Sequence, residues 1–491
     1  MSGGSVGGGS VRRALAWSFA NNLVMRFASL ALGIVLARLL VPSAFGVFAI
    51  GLTVQSLLGT LTDLGLSTDL VRTKDPASRA PTVATLSVTI GTLLAAAMML
   101  TAEPVAAAFN EPQAAGVIRV MAATCIVMGA AVVPYAKLLR EFKQGKLFAC
   151  AIVDFVVNTS VTVSLVLLGM GPMSLALGRL AALLVSTVVE FWLAGVRPRF
   201  GFDRKIARSA MAFGVPITGA NLLSLALLNV DNVVVARAAG AAPLGLYVLA
   251  FNVSTWPMNA IGQAVRSVTL PGFSRASSDA EQRRAFLMAL KLTWLVALPV
   301  GVLLAAVARP LVLFMYGEHW AGAAPALAAL GVFGGLRVAF DLIATYLMAR
   351  GAARPVFYVQ ALWFLGLIPP MIVATHWKGI AGAGWSHLVV GALVILPAYA
   401  VALRRLHIPL RSILSVVWLP IVAAVPMWWL GQAAADEAKE PILGLLMGGT
   451  VAVLVYLVIC SPWIVGLLPA RRAAESAAPE REVPMLTGVA S

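Results

Sequence analysis

Long, nearly uninterrupted apolar runs govern what this chain can fold into. Fourteen of them, at 15–37, 46–70, 82–101, 114–136, 148–169, 173–195, 209–236, 244–270, 286–307, 323–349, 356–375, 380–403, 412–431 and 441–469, are marked off by Pro, Gly and charge. A hydrocarbon layer is crossed by a helix of roughly 20 apolar residues, so each run has the length of a membrane span. Barrel strands are excluded, because they read as short alternating segments rather than long continuous ones. No soluble core can hide so much apolar surface: 60% of the 491 residues are hydrophobic and 11% charged, against roughly 25% charged in a soluble domain. The fold class expected is an all-α polytopic membrane protein of about fourteen helices.

Loop charge tests the count independently. With the N-terminus inside, the segments 12–13, 72–79, 137–146, 197–208, 275–284, 350–354, 404–411 and 471–481 fall on the cytoplasmic side and hold 25 of the 36 basic residues. The opposite loops hold Arg38, Arg237, Arg309, Lys378 and Lys439. A miscounted span would invert this pattern downstream. The alternation therefore predicts a multi-pass protein of the cytoplasmic (inner) membrane with both termini cytoplasmic. It also accounts for the +16 net charge by topology and membrane lipid, with no nucleic acid partner. Residues 1–14, Gly- and Ser-rich at the start, read as a disordered cytoplasmic N-terminus. Leu15 to Leu40 exceeds the about 7–15 apolar residues of a signal peptide, so it reads as a retained first helix. Cys125, Cys150 and Cys460 lie in apolar stretches without paired spacing, so neither a disulfide framework nor a metal site is expected.

An internal repeat divides the spans. Val35-Leu36-Ala37-Arg38 followed by Phe45-Gly46-Val47-Phe48 matches Val234-Val235-Ala236-Arg237 followed by Leu244-Gly245-Leu246-Tyr247, at a constant offset of 199 residues. Downstream, Glu103-Pro104 corresponds to Arg309-Pro310. An even number of helices per repeat keeps both copies in the same orientation. The expected organisation is a six-helix bundle at 15–200, a second at 201–405, two additional helices at 406–469 and a cytoplasmic tail at 470–491.

This arrangement, with Ser18-Phe19-Ala20-Asn21-Asn22, Ala37-Arg38-Leu39-Leu40-Val41-Pro42-Ser43-Ala44-Phe45-Gly46, Asp63-Leu64-Gly65-Leu66, Asn229-Val230-Asp231-Asn232 and Leu270-Pro271-Gly272-Phe273-Ser274-Arg275, resembles the polysaccharide-transporter branch of the multidrug/oligosaccharidyl-lipid/polysaccharide flippase superfamily. The likeness runs over roughly residues 12–410 and more loosely to 470. It implies a flippase that moves a polyprenyl-pyrophosphate-linked oligosaccharide outward by alternating access, for surface polysaccharide biosynthesis. Implied partners are that substrate, a glycan polymerase and glycosyltransferases.

Charged and amide side chains inside spans are costly and so need an explanation. Arg26 in the first helix, with Asn21 and Asn22, joins Gln55, Asn221, Asp231, Asn252, Asn259, Gln263 and Arg266 as candidate lining of a central cavity. Guanidinium forks match phosphate oxygens, which suits a pyrophosphate cargo. The competing reading is structural: Arg26 paired with Asp63 or Asp154, Asp63 and Asp69 capping or pairing with Arg72, Asp231 with Arg237, Arg179 with Glu190, Arg337 with Asp341, and Arg266 snorkelling to headgroups. Asp154 with Asn158 is the candidate ion-coupling pair. No Walker A, His-Glu-x-x-His or nucleophile elbow is present and the four histidines are scattered, so no catalytic residue or cofactor is expected. A cation-coupled multidrug exporter and a non-transporting scaffold for glycan assembly stand as the alternatives.

Overall fold

The computed structural model describes residues 25, 27–275 and 278–476. Asn21, Asn22 and Arg26 lie outside the described residues, as do most of the expected N-terminal segment and the end of the tail. Every described element is helical, the form in which an apolar span satisfies its own backbone in lipid. In chain order the helices are α1 (Phe27–Leu39), α2 (Pro42–Asp63), α3 (Leu66–Arg72), α4 (Pro76–Leu100), α5 (Ala102–Ala108) and α6 (Ala114–Arg140). They continue with α7 (Gln144–Leu167), α8 (Pro172–Ala194), α9 (Arg204–Ala239), α10 (Ala241–Arg275), α11 (Asp279–Ala306) and α12 (Ala308–Tyr316). The last five are α13 (Ala324–Ala349), α14 (Ala353–Val390), α15 (Leu396–Arg405), α16 (Leu410–Asp436) and α17 (Pro441–Ser476).

Ten helical segments among the described residues are long and apolar enough to cross a membrane. The longest, Ala353–Arg405, has 53 residues, far more than one crossing needs. It folds back at Gly379, whose φ of 58° and ψ of −145° are not helical. Ser386 Oγ bonds to Pro370 O, and a Cβ on Gly382 would fall 2.0 Å from Ala374 O. Both pairs are centred on residue 378, as in an antiparallel hairpin. The second run expected from sequence, 46–70, is interrupted. Leu64 and Gly65 are both left-handed, with φ of 44° and 67°, ending α2 and starting α3. Asp63 stabilises the restart by accepting from Ser67 N at 3.0 Å and Ser67 Oγ at 2.8 Å.

Side-chain N-caps mark the basic end of the molecule. Asp75 accepts from Ser78 N, Asp203 from Lys205 N and Ile206 N, and Ser278 Oγ from Glu281 N. The Glu103-Pro104 and Arg309-Pro310 pairs each sit in the first turn of a short helix, α5 and α12.

Helices α2, α4, α6, α7 and α8 pack in one group and α9, α10, α11, α13 and α14 in another, with α16 and α17 set against α11. Contact between the groups runs through α2 against α9 and α10. There a Cβ on Gly46 would lie 1.7 Å from Ala241 O, and one on Gly245 would lie 1.9 Å from Pro42 O. Gly46 and Gly245, like Pro42 and Ala241, are separated by the 199-residue offset. The contact is thus reciprocal, as at a two-fold axis, and only residues without a side chain allow the backbones to approach so closely. The outermost pair, α16 and α17, exposes Trp418, Val425, Trp429, Leu446 and Val458 outward, as a lipid-facing surface does.

Candidate functional site

Four cavities form a series through the middle of the molecule. The largest, about 910 Å³, lies between α1, α2, α6, α7, α8 and α10. A second of about 520 Å³ shares Met25, Ser29, Gly33 and Asn252 with it. A third of about 130 Å³ shares Thr255 and Asn259 with the second. The fourth, about 110 Å³, shares Arg337 and Asp341 with the third. Helix α10 supplies Asn252, Thr255 and Asn259 one turn apart along a single face, which links one group of helices to the other.

At the α7–α8 end, Asp154 faces Arg179 at 3.3 Å, with Ser186 Oγ at 3.5 Å. Asn158 and Glu190 line the same cavity, and Glu190 Oε2 is buried without a hydrogen-bond partner among the described residues. At the α13 end carboxylates and guanidiniums are equal in number. Arg266 pairs with Asp341 at 2.8 Å, whereas Arg337, which lines both small cavities, makes no ion pair among the described residues. Two guanidiniums there face two carboxylates, Asp341 and Asp231, and Arg337, outside any ion pair, keeps hydrogen-bond donors for an anionic group.

Behind this end lies a closed network. Tyr247 Oη donates to Asp231 Oδ2 at 3.1 Å and lies 3.1 Å from His387 Nε2. Asn232 N donates to Asp231 Oδ1 at 2.9 Å. The tyrosine has one proton to give, so His387 Nε2–H donates to Tyr247 Oη, which donates in turn to Asp231. The ring of Phe333 lies 5.0 Å from that of His387. All three polar groups are buried.

Several expected lining residues meet here: Asn252, Asn259, Arg266, Asp154 and Asn158. Gln55 is buried elsewhere, its amide on Met128 Sδ at 3.2 Å, and Asn221 and Gln263 are exposed on α9 and α10. The local pairings expected from sequence give way to partners on neighbouring helices. Arg179 takes Asp154 rather than Glu190, Asp341 takes Arg266 rather than Arg337, and Asp231 takes Tyr247 rather than Arg237. Asp69 pairs with Arg79 at 2.7 Å, leaving Arg72 stacked 3.9 Å over the Phe213 ring. Sequence reasoning passed over Tyr247 and set His387 aside as one of four scattered histidines. Its place in the middle of an apolar run was the available signal.

These features define a multi-pass helical membrane protein with a polar cavity between two helix groups. Its fold is that of a lipid II flippase, MurJ, in an inward closed conformation: the TM-score is 0.74 at 15% identity, covering 91% of this chain and 99% of that one. An inward-facing multidrug resistance transporter of the MATE family in the MOP superfamily matches at a TM-score of 0.61 and 17% identity, over 77% of this chain and 94% of that one. Residues 35–325 match the model of a family described as polysaccharide biosynthesis protein. The chain belongs to that family. It is 26% identical over 441 residues to the succinoglycan biosynthesis transport protein ExoT of Rhizobium meliloti, covering 87% of each. It is 24% identical over 448 residues to the lipopolysaccharide biosynthesis protein WzxC of Escherichia coli, covering 89% of this chain and 88% of that one.

Proposed function

We propose that this protein moves a polyprenyl-pyrophosphate-linked oligosaccharide from the inner to the outer leaflet of the cytoplasmic membrane, for surface polysaccharide biosynthesis. The observation that carries this reading is the connected cavity series, apolar walls carrying spaced polar groups, which ends where Arg337, without an ion pair among the described residues, stands beside Arg266, Asp341 and Asp231. A pyrophosphate fits the guanidinium of Arg337, while sugar hydroxyls fit the amides of Asn252 and Asn259. The polyprenyl tail stays in lipid.

In this reading the chain crosses the membrane fourteen times. The ten apolar segments are counted with the hairpin at Gly379 taken as two, and α1, α9 and α10 are added. Six spans form a bundle over 15–200 and six over 201–405, and the reciprocal Gly46 and Gly245 contact supports the pseudo-two-fold relation. Both termini face the cytoplasm, by the distribution of basic loops. Alternating access then opens and closes two belts in turn. The outer belt joins Gly46 to Ala241 and Gly245 to Pro42, with Trp320 Nε1 donating to Ala37 O at 2.7 Å and Arg38 Nε to Met315 O at 3.0 Å. The inner belt sets Leu64 and Gly65 against Gly214, with Arg72 over Phe213. Asp154 with Asn158 remains the coupling candidate, and both line the largest cavity.

The test is reconstitution of the protein with a fluorescent lipid-linked oligosaccharide in liposomes, paired with gene deletion. Transport, its loss in Arg337→Ala and Arg26→Ala with expression retained, and accumulation of undecaprenyl-linked intermediates in the deletion strain are expected. Unchanged lipid pools with altered drug susceptibility would replace this reading with a multidrug exporter. Lost surface polymer without any transport in liposomes would replace it with a scaffold for a polymerase and glycosyltransferases.

A further inference from the structure

A separate pocket of about 590 Å³ opens at the basic end, on the other side of α6 from the transport cavity. Tyr135 and Leu139 of α6 face the large cavity, whereas Val133, Ala136, Lys137 and Arg140 face this one. Leu70, Ala77 and Ala80 complete an apolar floor, and Arg197 and Arg199 close it from the segment after α8. Four basic side chains thus meet one acid, Glu141. That acid is already engaged by Lys143 and, at 4.0 Å, by Lys137.

The pocket is built rather than incidental. Arg140 donates to Leu70 O at 3.1 Å and to Thr73 O, fixing the end of α3 to α6. The segment carrying Arg197 and Arg199 has no regular structure, yet it is pinned to α4 by three hydrogen bonds. Thr85 Oγ1 donates to Gly201 O at 2.8 Å and accepts from Gly201 N at 3.1 Å, and Asp203 N donates to Thr82 Oγ1 at 3.1 Å. Pro198 between the two arginines restricts the backbone further. Neither Arg197 nor Arg199 makes an ion pair or hydrogen bond among the described residues. Two held cations with no partner among the described residues point to an external anion.

The surroundings identify its source. Trp192, Phe200 and Phe202 near the pocket are 78%, 65% and 67% exposed, and Phe142, one residue beyond Glu141, is 85% exposed. Phe142 also has a φ of 53°, a conformation unfavourable for a bulky side chain. Among the described residues nothing covers the ring that this conformation presents. Aromatic side chains concentrate where headgroups meet hydrocarbon, and basic pockets between helices on the cytoplasmic side suit phosphate headgroups.

We propose that this pocket binds the phosphate headgroup of an anionic phospholipid of the inner leaflet, held by Arg197, Arg199 and Lys137, with an acyl chain against the apolar floor. The proposal rests on the orientation of the basic end toward the cytoplasm and is independent of which cargo the central cavity carries.

The test is native mass spectrometry of the full chain released from detergent and titrated with cardiolipin, phosphatidylglycerol or phosphatidylcholine. Wild-type protein is expected to retain the two anionic lipids over phosphatidylcholine. Arg197→Ala with Arg199→Ala should weaken retention roughly 30-fold, each basic residue near a charged headgroup being worth about fivefold. Arg197→Lys with Arg199→Lys should keep most of the binding and shows that the segment still folds. Equal retention by wild type and the double alanine variant, or equal retention of phosphatidylcholine, overturns the proposal. So does displacement of the lipid by inorganic pyrophosphate at the same concentration, which would make the pocket a site for a free anion.

Discussion

Asp154 and Asp231 are both carboxylates set within long apolar helices, and their surroundings differ in nearly every respect. The Asp154 side chain is 28% exposed and its partner Arg179 is 42% exposed, both on the wall of a cavity of about 910 Å³. The Asp231 side chain is 5% exposed, and its partners Tyr247 and His387 are buried with it. An ion pair beside an open cavity exchanges partners with water or ligand at little cost. A dry network is different, since each donor or acceptor left without a partner carries its full desolvation penalty. The first arrangement suits a surface that must rearrange around a passing cargo. The second holds α9, α10 and the hairpin after Gly379 in one fixed relation beneath the arginines that face the cavity.

The sharpest way to break this contrast is to remove the shared hydroxyl. Tyr247→Phe keeps the ring's packing and deletes the bridge between His387 and Asp231. Asp231 then keeps only the Asn232 amide among the hydrogen bonds described above. A hydrogen bond to a charged group contributes about 1.5–3 kcal/mol, and that loss is the destabilisation expected. Thermal unfolding in detergent measures it. A Tyr247→Phe protein as stable as wild type, beside an Asp154→Ala protein that is much weaker, would reverse the assignment of the dry and wet clusters.

Next in size is His387→Phe, where a modest change is expected despite the residue's depth. His387 Nδ1 is buried without a partner among the described residues, so the imidazole brings a penalty as well as a bond. A phenyl ring removes both and keeps the contact with Phe333. Replacing a buried polar group in this way is expected to change stability within about 1 kcal/mol, while Tyr247 still donates to Asp231. The same thermal measurement decides it. A loss as large as that of Tyr247→Phe would make His387, rather than the tyrosine, the keystone of the network.

That the chain is an all-helical multi-pass membrane protein was readable because span length is a one-dimensional signal, written along the chain and needing no knowledge of neighbours. The 199-residue offset was readable for the same reason, and Gly46 and Gly245 meet where it places them in register. Pairing was not. Arg337 and Asp341 are spaced for contact on an isolated helix, with the basic residue first, which is the weaker order for such a pair. In the packed bundle Arg266, on another helix and 75 residues away, takes the carboxylate instead. The break at Leu64 and Gly65 was hidden likewise, since an apolar run of that length gives no sign of two successive left-handed residues. Of the cavity, the lining from α7 and α10 was anticipated. The α13 arginine and the Asp231 network were not, because they depend on which helices become neighbours.

The smallest effect expected is in the pair that sequence reasoning came nearest to. A double-mutant cycle over Asp154→Ala and Arg179→Ala should give a coupling of about 0.2–1 kcal/mol, the range of solvent-accessible ion pairs. Thermal unfolding of the two single variants and the double variant supplies the cycle. In the liposome assay the ranking should invert: Asp154→Asn, close to wild type in stability, should reduce transport more than His387→Phe does. This follows from position, since Asp154 faces the largest cavity, while His387 is buried beside the smallest. A coupling of several kcal/mol would mean that Asp154 and Arg179 act as a fixed strut between α7 and α8. The acid free to respond to cargo would then be Glu190, whose Oε2 has no hydrogen-bond partner among the described residues, and Glu190→Gln would become the variant that loses transport.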